Sequence, residues 1–143
     1  MKKIALFLVI IIIIISAMFY MVINYKINYN QSKKMNSQFE KYLNQEIYGV
    51  ELSTIINKAI DCNEKNNVEK DNKGNYKNNN KNSINIDIKI LDNNSTYNME
   101  TFYNNDIQNF ITYYGNIKFE CKKIEYHNET NNIKYMLFEQ ITE

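Results

Sequence analysis

The chain of 143 residues contains no arginine, no proline and no tryptophan, and its only histidine is His127. Without arginine it lacks the bidentate fork that reads phosphates and guanine edges, and its formal net charge is only +1. Both observations argue against nucleic acid as a partner. With a single histidine and no Cys-x-x-Cys, a zinc centre is not expected, and no other cofactor is implied. Neither Gly-x-Gly-x-x-Gly nor a phosphate loop is present, nor His-Glu-x-x-His or Gly-x-Ser-x-Gly. Asp92 and the asparagines after it lack the ligand pattern of a calcium loop. His127 and Cys121 stand six positions apart, about 20 Å if both lie on one strand, too far for a nucleophile and its base. The chain therefore reads as non-catalytic.

There are three glycines and two cysteines, whereas asparagine, isoleucine, lysine and tyrosine are in excess. AT-rich codons produce that excess, so the asparagines are read as the mark of a genome, bacterial in character, and not of a function. Cys62 and Cys121 would be free to form a disulfide in an extracytoplasmic setting, and serve equally as small core residues otherwise.

Charge is also missing from Ile4 to Ile23, where Ser16 is the sole small polar residue. At 1.5 Å per residue, about 20 residues reach the roughly 30 Å of a bilayer's hydrocarbon core. In lipid the backbone must satisfy its own hydrogen bonds, so even this isoleucine-rich run is helical. A cleaved signal peptide ending near Ala17 competes with an uncleaved anchor. The apolar run continues through Met18–Ile23, where a cleavage site would be followed by polar chain. Lysines flank both ends of the run, so a count of basic residues does not orient it. The short stretch before it and the long domain after it favour an N-terminus inside, and the expectation is a C-terminal domain on the extracytoplasmic side of a cell membrane.

The rest is large enough for one small domain. Met35, Phe39, Tyr42, Leu43 and Ile47 recur at helical spacing, which predicts an amphipathic stalk continuing the anchor. Met35, Phe39, Leu43 and Ile47 are the candidate partner face, or else a seam onto the protein's own sheet. Gly49 marks a helix end or kink, and Val50 to Glu64 predicts a second helix with Val50, Leu52, Ile55, Ile56, Ala59 and Ile60 on its apolar face. Residues 66–82 are polar and read as a mobile, solvated loop with Lys73-Gly74-Asn75 at a hairpin tip.

Ile84, Ile86, Ile88 and Ile90 alternate with polar residues, the pattern of a strand with one covered face. Asp92–Ser95 turns into a second strand, Thr96 to Phe102, and the pair forms an antiparallel hairpin. Tyr103 to Tyr114 reads as a short helix capped by Asn104 or Asn105 and closed by a left-handed Gly115. Asn116 to His127 is a strand whose phase slips at Lys122-Lys123, which predicts a bulge. Ile133 to Gln140 is the last strand. The expected class is α+β: an anchor at 1–23, helices at 24–65, the loop at 66–82, and at 83–143 an antiparallel sheet of about four strands with a short helix. Tyr97, Tyr126 and Tyr135 could build a carbohydrate or peptide surface, or simply pack across strands.

A hydrophobic N-terminal helix running into a small sheet resembles the layout of type IV pilin-like proteins and pseudopilins. That resemblance implies a subunit of a secretion or adhesion apparatus. Those families carry a glycine before the apolar run and a glutamate near its fifth position. Here the run follows Lys3 directly and the first glutamate is Glu40. Gly49 to Ala59 is similar to segments of membrane-anchored bacterial proteins. The expectation is a single-pass anchored protein that binds a protein partner or self-assembles, the alternatives being a pilin-like subunit or a secreted enzyme with an unrecognised site.

Overall fold

The computed structural model describes residues 2–91 and 94–142. It divides into two units, Met1–Lys34 and Met35–Glu143, the second termed the head. The first helix, α1, spans Lys2–Glu40. Inside the apolar run Ser16 donates its hydroxyl to the Ile12 carbonyl at 2.8 Å, so its polarity is spent within the helix.

The predicted stalk does not reach Ile47. α1 stops at Glu40, Asn44 takes a positive φ of 56°, and Glu46–Tyr48 form a short strand, β1. The backbone groups of this corner explain the stop. Asn44 N–H donates to the Cys121 carbonyl at 2.9 Å, and Ile47 pairs with Phe119 in an antiparallel ladder. A ladder with a neighbouring strand satisfies the backbone as well as another helical turn would, and it buries Ile47.

Helix α2 spans Gly49–Lys65, with Glu51 in its first turn and Lys65 in its last, each favourable to the helix dipole. Leu52, Ile55, Ile56, Ala59 and Ile60 are buried; Val50 is exposed. The segment after it is no free linker. Val68 and Tyr76 are buried, and Lys77 N–H donates to the Glu69 carbonyl across a tip at Asp71–Asn75, where Gly74 has φ 85°. Two apolar anchors outweigh the polar composition that suggested solvation.

Strand β2 (Asn85–Ile90) pairs antiparallel with β3 (Ser95–Asn98), matching Ile88 to Tyr97. Asp92 and Asn93 of the expected turn lie outside the described residues. The second strand is shorter than its alternation suggested, because Asn98 accepts from Thr101 N–H and starts helix α3, Met99–Asn104. Asp106, not Asn104 or Asn105, caps helix α4 (Ile107–Tyr114), accepting from Gln108 N–H at 3.0 Å. Gly115 is right-handed, with φ −57°.

Strand β4 spans Lys118–Tyr126 and β5 spans Ile133–Gln140; they pair antiparallel, with register shifts between Cys121 and Lys123, where the bulge was expected, and between Glu125 and Tyr126. The sheet has five strands in the order β1-β4-β5-β2-β3. It is mixed, because β2 and β5 run parallel. The class is α+β. One sheet face carries Ile86, Ile88, Ile90, Phe119, Cys121, Met136 and Phe138, all buried, with α2 packed against the strands and against α4. Each such side chain contributes about 1.5–3 kcal/mol by leaving water.

Two asparagines join helices to this sheet. Asn63 is fully buried on α2; its amide donates to the Ile84 carbonyl at 2.7 Å and its oxygen accepts from Ile84 N–H at 2.8 Å. Asn36, on the last turns of α1, donates to the Asn131 carbonyl at 2.7 Å and accepts from Ile133 N–H at 3.0 Å. The clamps thus serve the entries of the two parallel strands.

Candidate functional site

The four residues of the expected partner face do not form one exposed surface. Phe39 is 0% exposed and Ile47 is buried, Met35 is half-buried against the core, and Leu43 alone is open, at 40%. Helical spacing carried past Glu40 groups them only on paper.

Of the two alternatives the sequence left open for Cys62 and Cys121, the disulfide is not formed; both are free thiols. Cys121 is buried on β4 opposite Phe138, and its thiol donates to the Lys123 carbonyl at 3.7 Å. Burial pushes its pKa up to about 11. Burial also raises that of Cys62 on α2, with Lys65 acting in the opposite direction. Neither thiol is a ready nucleophile at neutral pH, because the thiolate is the reactive form.

His127 sits just beyond β4, at the turn, yet is buried. Its Nε2 lies 2.8 Å from the Ser83 carbonyl, so that nitrogen carries the hydrogen and donates it. The ring ties the end of β4 to the entry of β2. Beside it a polar recess of about 260 Å³ is lined by Asn78, Asn79, Tyr126, Asn128, Glu129 and Lys134 among others. The asparagines hold the loop itself: Asn79 Oδ1 accepts from the N–H groups of Lys81, Asn82 and Ser83. The Asn132 side-chain oxygen is buried and meets no hydrogen-bond donor among the described residues.

A second recess of about 210 Å³ is aromatic. Phe102 on α3 meets Tyr97 at 5.6 Å and Phe110 at 4.7 Å between ring centroids, and Phe110 meets Tyr114 at 5.4 Å. Tyr113 stands 75% exposed at its edge. Asp106 borders it with φ 70° and ψ 106°, outside the usual left-handed well. Of the three tyrosines singled out in the sequence, only Tyr97 belongs here. Tyr126 donates its hydroxyl to Glu40 and Tyr135 to Asp87, each at 3.0 Å. Burial of the ring, and after it the proximity of the acidic Asp87, hold the Tyr135 hydroxyl protonated well above the ordinary range. Sequence reading missed this cluster; Phe102, Phe110 and Tyr114 at four-residue multiples were its signal.

Among the described residues no three histidine, cysteine or acidic side chains gather to hold a metal. α1 is the helix, among those described, long and apolar enough to cross a membrane or serve as a signal sequence, and none of its apolar window is buried within the chain. Phe7, Ile13 and Phe19 are each more than 60% exposed. A long apolar N-terminal helix followed by a sheet is consistent with a pilin-like layout. No family model, no curated protein and no solved structure matches the chain.

Proposed function

We propose that this is a single-pass protein of a cell membrane, held by α1, whose head stands on the extracytoplasmic side and binds a protein partner or assembles without catalysing a reaction. The observation that carries the reading is the unpartnered apolar run Ile4–Ile23. Roughly 20 side chains of this kind in water would forgo about 1.5–3 kcal/mol each, a cost that a bilayer removes. A following domain of this length translocates largely regardless of its charge. The absence of a catalytic step is supported by the chemistry of the reactive side chains: both thiols are raised in pKa and the histidine is committed to Ser83. Of the residues first grouped as a partner face, Leu43 is the one left open to a partner.

The test is extraction of membranes at alkaline pH, followed by protease added to intact cells. Retention in the bilayer pellet and digestion of the head from outside are expected. Recovery of the full-length chain in the soluble cytoplasm, without detergent, overturns the reading.

A second reading, a pilin-like subunit, draws on the unbroken course of α1 from Lys2 to Glu40. N-terminal sequencing of the mature protein separates the two. Removal of the first few residues supports processing by a prepilin-type peptidase, and an intact start counts against it.

A further inference from the structure

We propose that the aromatic recess of the head is a binding site for a compact organic cation of the quaternary-ammonium kind, with choline as its simplest representative. Every residue that lines it belongs to the head, so the proposal goes beyond the anchor reading and does not rest on it.

Charge comes first. The chain has 17 basic residues, all lysine, yet among the described residues none lines this recess, and Asp106 is the one charged group at its border. One carboxylate oxygen of Asp106 accepts from Gln108 N–H at 3.0 Å; the other meets no donor or cation among the described residues. The polar recess differs, because Lys134 and Glu129 both line it and it selects neither sign.

Hydrogen-bonding capacity narrows the class. Thr101 donates its hydroxyl to Asn98 Oδ1, and Asn109 Nδ2 donates to the Asn105 carbonyl at 3.2 Å. With those donors engaged, acceptor oxygens remain beside Asp106. An anion requires donors, and a sugar requires donors and acceptors together. A cation without N–H groups of its own requires neither, and oxygen atoms attract it.

Ring geometry narrows the shape. Phe102 is inclined by 60° to Tyr97, by 56° to Phe110 and by 72° to Tyr114. The wall is therefore folded, unlike the flat platform on which a planar ring would lie. Phe110 is buried and meets Phe119 of the core at 6.1 Å between centroids, which fixes the floor. The face of an aromatic ring is the negative part of its quadrupole and attracts a cation within about 6 Å of the centroid. At about 210 Å³ the recess is smaller than the roughly 300–1,000 Å³ of sites for drug-sized ligands, so it suits a single rounded group.

The test titrates choline into the full-length chain in non-ionic detergent micelles and follows aromatic proton shifts by nuclear magnetic resonance. Saturable binding is expected, with a Kd on the order of 1 mM. It should be about tenfold tighter than that of 3,3-dimethylbutan-1-ol, which has the same shape with carbon in place of the charged nitrogen. Asp106→Asn keeps the cap and the positive φ, both of which asparagine tolerates. It should weaken choline about fivefold and leave the neutral alcohol unchanged, which shows that the recess is intact. Tyr113→Ala, at an exposed position, should weaken choline about threefold. Glu129→Gln, at the polar recess, should change nothing. Phosphocholine, the headgroup form, should bind no tighter than choline, since no lysine meets its phosphate. Equal affinity for choline and the neutral alcohol overturns the proposal, as does an absence of saturable choline binding. Tighter binding of phosphocholine or of methyl glucoside overturns it too, and so does loss of choline binding in Glu129→Gln with Asp106→Asn unaffected.

Discussion

Asn63 holds both backbone groups of Ile84, donating to its carbonyl and accepting from its N–H, in a site closed to solvent. Removing the amide leaves two buried polar groups without partners, each costing about 1–3 kcal/mol. Asn63→Ala should therefore destabilise the head by about 2–5 kcal/mol. Asn63→Asp should not restore it, since a carboxylate offers nothing to the Ile84 carbonyl. Urea titration of the full chain in detergent micelles, followed by near-ultraviolet circular dichroism, measures this. A loss below about 0.5 kcal/mol for Asn63→Ala would show the clamp to be incidental.

Gly49 is required by lack of space. A Cβ built on it would lie 2.0 Å from the Tyr114 carbonyl oxygen, where α2 begins against the end of α4. Backbone cannot move aside as a flexible side chain does. Gly49→Ala should cost at least about 1–3 kcal/mol through overpacking. Gly74 differs: its φ is 85° but its surroundings are open, the nearest atom being 3.7 Å away. Gly74→Ala should cost only about 1–2 kcal/mol, from backbone conformation alone. Thermal unfolding of both variants checks the order.

Phe39 and Leu43 separate burial from sequence pattern. Phe39→Ala should lose about 3–5 kcal/mol, as expected for an emptied core site. Leu43→Ala should stay within about 1 kcal/mol, and Leu43→Lys should fold. If Leu43→Lys nonetheless abolishes capture of a partner that the parent chain retains, the open half of the former stripe is the contact. Equal destabilisation by both alanine variants would contradict the burial described for Phe39.

Cys121 makes stability fall at alkaline pH. Its folded pKa, about 11, exceeds that of an unfolded thiol, about 8.5, so above the lower value the unfolded chain releases a proton that the folded chain keeps. The stabilisation is complete below about pH 8 and is lost as pH rises from there toward about 11, on the order of 3 kcal/mol in all. Denaturation midpoints from pH 7 to 11 should decline in the parent chain and less steeply in Cys121→Ala. The buried thiol should also resist iodoacetamide at pH 8 until urea is added, and non-reducing electrophoresis should show no internal bridge.

Much of the head was legible because its elements repeat at their own period. Ile84 to Ile90 alternate, Leu52 to Ile60 recur at helical spacing, and the slip at Lys122-Lys123 marks the register shift. The parallel pairing of β2 with β5 was not, since pairing is a property of topology and both directions accept the same alternation. Met99 and Phe102 suit a strand or a helix equally, and Asn98 decided for the helix. The asparagines were underrated as codon bias. Asn44, Asn67, Asn94 and Asn131 occupy positive φ, and Asn36 and Asn63 clamp strands. Asn63 could have been found, for it continues the row Leu52, Ile56, Ala59 on the inward side of α2. The aromatic recess was hidden because its members come from three separate elements.

The outermost strands, β1 with three residues and β3 with four, leave the sheet with very short rims. A stray extended segment finds few free amides and carbonyls there on which to zip up. A protein confined to a two-dimensional layer meets its own copies far more often than one diluted in three dimensions. Were α1 to hold copies of this chain in a membrane, as proposed, blunt rims would let them crowd together without templating one another into fibrils.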